Sequence, residues 1–84
     1  MFGNREQINR NEAEKIVRKF KAEKVDTAIS YDLHMRTVEI HKMEKDAILN
    51  ERLPAFTYIV FCRDGESAKR LAHKLREIRY DYTM

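Results

Sequence analysis

Cysteine, proline and glycine are nearly missing from this chain and tryptophan is absent: it holds one Cys, one Pro and two Gly. A single cysteine excludes an intrachain disulfide and gives no sign of an oxidising compartment. So little Gly and Pro leaves scant room for flexible linkers, and 84 residues are too few for a second core. Residues 1–84 are therefore expected to form a single domain. The longest apolar run is too short to span a bilayer, and the first residues, Met-Phe-Gly-Asn-Arg-Glu, hold no apolar signal core. A soluble, cytoplasmic protein is the expectation. No internal repeat or low-complexity tract appears.

What is present is charge, unevenly placed. Lys, Arg, Asp and Glu make up 37% of the chain, with a net charge of +3. Residues 5–24 and 63–79 each carry a surplus of three positive charges, whereas residues 25–62 carry four Lys/Arg against six Asp/Glu. The ends are basic and the middle acidic, a balance compatible with polyanion binding.

Apolar spacing places the elements. Ala13, Ile16, Val17 and Phe20 make one helical stripe within residues 4–24, with Asn9 or Asn11 as N-cap. From Val25 to Leu33 the period becomes two: Val25, Thr27, Ile29, Tyr31 and Leu33 share one face, as in a half-buried strand. His34-Met35 is the turn, and Arg36 to Lys42 the return strand, with Val38 and Ile40 inward and Thr37, Glu39 and His41 outward. Residues 43–54 suit either a helical turn or an extension of that strand. Either form could fold over the sheet. Pro54 marks entry to a third strand. Arg63-Asp64-Gly65 turns into a second helix, Glu66 to Ile78, striped by Ala68, Leu71, Ala72, Leu75 and Ile78. Residues 80–83 alternate and can add an edge strand. The predicted fold class is α+β, order α-β-β-β-α: a two-layer sandwich of a three-stranded antiparallel sheet, with a fourth edge strand at the C-terminus if 80–83 pair, and two helices on one face.

The third strand is the informative one. Ala55-Phe56-Thr57-Tyr58-Ile59-Val60-Phe61-Cys62 is apolar on both alternating faces, which calls for cover on both sides. Two short helices can cover one. Thr57 and Arg63 point to the Thr57, Ile59, Phe61 set as the outer face, with Tyr58 the anchor if the parity is reversed. Ile59 and Phe61 would then sit among Asp26, Ser30, Asp32, Thr37, Glu39 and His41. Leaving both wet forgoes roughly 1.5–3 kcal/mol each, and an apolar centre with a polar rim is how interfaces are built. Thr57, Ile59, Phe61, Tyr58, Glu39 and His41 are the expected interface residues, with a second copy as the first candidate partner.

The helix–three strands–helix order and Ala68-Lys69-Arg70 resemble double-stranded RNA-binding domains. That resemblance implies nucleic-acid binding; separately, the basic helix faces offer a surface for backbone contacts, for which Lys15, Arg18, Lys19, Lys69, Arg70 and Lys74 are the candidates. The chain departs from the pattern in its two-residue first hairpin and in Asp64-Gly65-Glu66-Ser67, where such domains carry lysines. The strand from Phe56 to Phe61 is also similar to the aromatic strand of RNA-recognition motifs, on which bases stack. Here Asp26, Asp32 and Glu39 would repel phosphates from that face. His34, His41 and His73 have no metal-ligand spacing, and Cys62 has no second cysteine. No metal, cofactor or catalytic residue is expected.

Overall fold

The computed structural model describes residues 4–80. Six elements follow one another: β1 (Asn4–Gln7), α1 (Arg10–Ala22), β2 (Thr27–Asp32), β3 (Thr37–Lys45), β4 (Arg52–Phe61) and α2 (Gly65–Tyr80). They form an α+β domain of two helices and one sheet, ordered β1-β4-β3-β2. Strands β2, β3 and β4 are antiparallel neighbours, and β1 runs parallel to β4.

Two expectations need correction. Residues 4–24 are not one helix, because Asn4–Gln7 pair with Phe56–Ile59 as a fourth strand. The fourth strand is therefore N-terminal. Of the proposed C-terminal strand, Tyr80 is the last residue of α2, and residues 81–83 lie outside the described residues. Every side chain of β1 is exposed, so main-chain pairing with β4 and the buried Ile8 just after it fix its place, and no apolar pattern advertised it. Helix α1 begins where a capping box allows: the Asn9 side chain accepts from Glu12 N at 2.8 Å, and Glu12 Oε1 accepts from Asn9 N at 3.1 Å. It ends in a Schellman-type turn, Val25 N donating to Phe20 O and Lys24 N to Lys21 O, with Lys24 at φ 58°.

The expected stripes meet in one core. Ala13 and Val17 from α1 and Ala68, Leu71, Ala72 and Leu75 from α2 pack with Ile29, Val38, Ile40 and Val60 from the sheet. Helix α2 lies over β2 and β3, and α1 over β4. Fully burying such a side chain stabilises by roughly 1.5–3 kcal/mol. The result is a slab of 39 × 32 × 17 Å.

Residues 43–54 extend a hairpin. Strand β3 continues to Lys45, with Met43 opposite Pro54 and Lys45 opposite Arg52, after a bulge following Lys42. The bulge lets a proline sit in the strand. Asp46 Oδ1 accepts from Ile48 N and Leu49 N, fixing the turn. Ile48 is 93% exposed and Leu49 60%, so this segment projects as an arm. Its base is tied down by Arg52, whose two guanidinium nitrogens each donate to Asp26 at 2.7 Å.

Candidate functional site

The sheet face opposite the helices carries the surplus apolar side chains. The inner face takes Ile29, Tyr31, Val38, Ile40, Tyr58 and Val60 into the core or against it. Strand alternation sends Thr57, Ile59 and Phe61 of β4 outward, beside Thr37, Glu39 and His41 of β3. Tyr58 lies on the inner face, its ring 6.1 Å from that of Phe20 and 4.8 Å from that of Phe56.

A recess of about 380 Å³ opens on the outer face, floored by Ile59, Phe61 and Thr37 and edged by Arg5, Ser30, Asp32, Met35 and Glu39. Phe61 is 56% exposed. Ile59 is half-buried; near it Arg5 reaches from β1 to Glu39 at 3.9 Å. Arg5 is the residue that sequence reasoning missed. It entered only with β1, and it turns an anionic rim into a mixed one. Asp26, also expected there, is held by Arg52, and this pairing lowers its pKa below the ordinary 3.8.

Beside the recess, His41 ties three strands together. Its Nε2 is 3.1 Å from Ser30 Oγ on β2 and its Nδ1 is 2.9 Å from Thr57 Oγ1 on β4. Glu39 Oε1 lies 3.4 Å from Nε2. With a hydroxyl at each ring nitrogen, the imidazole serves as a polar cross-strand link. Thr57 is buried by its neighbours even though it faces outward. Of the expected interface residues, Ile59, Phe61 and Glu39 therefore line the recess, His41 and Thr57 flank it, and Tyr58 belongs to the core side.

Comparison with known proteins returns no match. No family model fits the sequence, no curated protein matches it, and neither does any solved structure. The site must therefore be read from its own residues.

Phe61 also walls a second recess, of about 460 Å³, lined by Asn9, Arg10, Val60, Cys62, Arg63 and Ser67. It lies where both helices begin. Partial burial raises the Cys62 thiol pKa above its usual 9.0, with Arg10 opposing, which favours the thiol over the thiolate. The turn residue Asp64 accepts from Ser67 N at 2.8 Å, which lowers its own pKa. Among the described residues, no three His, Cys, Asp or Glu converge as a metal site. No helix is long and apolar enough to cross a membrane. Lys15, Arg18 and Lys19 are exposed on α1, and Lys69, Arg70 and Lys74 on α2. Glu14 joins the two groups, 3.7 Å from Arg18 and 3.2 Å from Lys74.

Proposed function

We propose that this protein is a small non-catalytic binding protein that acts through its outer sheet face, with a second copy of itself as the partner. One observation carries the reading: Ile59 and Phe61 floor an open recess on the face that neither helix covers. A slab 39 × 32 Å across has a broad face large enough for the roughly 800 Å² per partner that specific complexes bury.

Association along a sheet edge is disfavoured by comparison. At the β2 edge, Arg76 donates from Nε and Nη2 to the Ile29 carbonyl at 3.2 and 2.8 Å. At the other edge, β1 is four residues long, wholly exposed and carries Arg5 and Glu6. Short charged edges and blocked carbonyls are how soluble sheets avoid edge pairing. Face packing is the route left open. Arg5 and Glu39 then supply a paired charge of each sign at the rim, which a two-fold related copy can match by exchange.

Sedimentation equilibrium tests this. Wild type should dimerise at micromolar concentration, and Phe61→Asp should be a folded monomer. A wild-type monomer at high micromolar concentration overturns the reading.

A further inference from the structure

The exposed apolar side chains gather at the two ends of one strand pair. Among the described residues, Leu33, Met35 and Phe61 are exposed where β2 turns into β3 and β4 ends. Ile48 and Leu49 are exposed at the tip of the arm, and the remaining large one, Tyr80, ends α2. Thr37 pairs with Phe61 at the recess end of the β3–β4 ladder, and Lys45 with Arg52 at the arm end. The eight steps from Thr37 to Lys45 cover roughly 26 Å at about 3.3 Å each. The arm tip holds its apolar pair out on a fixed loop. Asp46 Oδ1 accepts from Ile48 N and Leu49 N, Asp46 N donates to Glu51 O and Asn50 N to Asp46 O, all at 2.8 Å, and Asn50 takes the left-handed conformation at φ 58°. Asp46 and Asn50 thus supply the turn chemistry, and the loop asks nothing of the side chains at 48 and 49. Apolar residues there call for another explanation.

We propose that the arm tip of a second copy fills the recess on the outer sheet face, Ile48 and Leu49 of each protomer seating on Ile59 and Phe61 of the other. The inference rests on the dimer reading above and adds the residues that the partner contributes. Closure follows from where the two features lie. A two-fold axis between stacked outer faces, running across the strands, reverses strand direction and keeps lateral position. Arm and recess share the β3–β4 pair, so the rotation sets each arm over the partner's recess, in two equal contacts. The axis then crosses the ladder midway, near His41 and Lys42, beside the polar Ser30–His41–Thr57 link. Size agrees as well. A cavity of roughly 150 Å³ admits a benzene, so a recess of about 380 Å³ takes both side chains. Because the loop is already fixed by its own hydrogen bonds, docking it costs little ordering. Insertion of the tip into an anionic membrane surface is disfavoured, since the arm carries Glu44, Asp46 and Glu51 against Lys45 and an Arg52 already held by Asp26.

Sedimentation equilibrium of Ile48→Asp/Leu49→Asp beside wild type and Phe61→Asp tests the arm. With native circular dichroism, the arm variant should dissociate about a hundredfold more readily than wild type. Cross-linking supplies the geometry. Ile48→Cys and Met35→Cys, each in a Cys62→Ser background, are mixed, equilibrated and treated with a short bismaleimide. The mixture should give a covalent dimer of the two variants, whereas neither variant alone should cross-link, because like ends lie far apart across the axis. A wild-type dimer that Phe61→Asp abolishes but the arm variant leaves unchanged overturns this inference and keeps the dimer reading. So does cross-linking of Ile48→Cys to itself, or a mixture that forms no mixed dimer. A wild-type monomer at high micromolar concentration overturns both.

Discussion

The carbonyl oxygen of Leu33 lies 2.6 Å from where a β-carbon on Gly65 would stand. The first residue of α2 thus closes directly on the β2–β3 turn, and the neighbouring atom is backbone that cannot swing aside. Gly65→Ala should destabilise by about 1–3 kcal/mol despite the better helix propensity of alanine. Urea denaturation of the two proteins checks it. An equal or higher midpoint would mean that the turn yields freely.

Lys24 offers the opposite case. It sits in the left-handed region at φ 58°, in the position that helix ends usually give to glycine. Lys24→Gly should therefore raise stability by up to ~1 kcal/mol. A thermal melt showing a lower midpoint would count against that assignment of strain.

Asp26 and Arg52 give an acid dependence. The bond from Arg52 holds the Asp26 pKa below 3.8 in the folded chain, so its contribution is complete above the unfolded value and fades as pH falls through the lower folded one. The pair is exposed and the effect correspondingly small. Wild type should exceed Asp26→Asn in urea midpoint near neutral pH, and the two should converge below pH 3.8. A gap independent of pH would place the effect elsewhere.

Arg76 guards the β2 edge and lies over the Tyr31 ring at 5.5 Å. Arg76→Ala should cost roughly 1–2 kcal/mol, given its partial exposure. It should also allow edge-to-edge association that Phe61→Asp does not remove. Light scattering of the single and double variants distinguishes the two modes.

The apolar stripes were legible because burial on one face leaves a period in the sequence: Val17 and Phe20, Leu71 and Leu75, Val38 and Ile40 lie where that period puts them. The parity of β4, apolar on both faces, was legible only from Thr57 and Arg63 on its outward set. Asn4–Gln7 was not, since an edge strand held by its main chain needs no apolar side chain. Nor was the arm from Met43 to Pro54 as such: the bulge breaks the alternation where a reader would look for it. Arg5 and the Ser30–His41–Thr57 link depend on register between distant strands, which a single chain does not spell out.

Strand β1 has a bearing on how the domain comes together. Among the described residues its strand partner is β4, from Phe56 to Ile59, extended by the bond from Ile8 N to Ile59 O. On a ribosome, the stretch from Asn4 to Ile8 must wait until some fifty further residues have emerged before it has anything to pair with. The β2–β3–β4 meander assembles from near neighbours, whereas that edge closes over a long loop, and such contacts form slowly. Arg5 therefore reaches Glu39 and the recess only once β4 has been made.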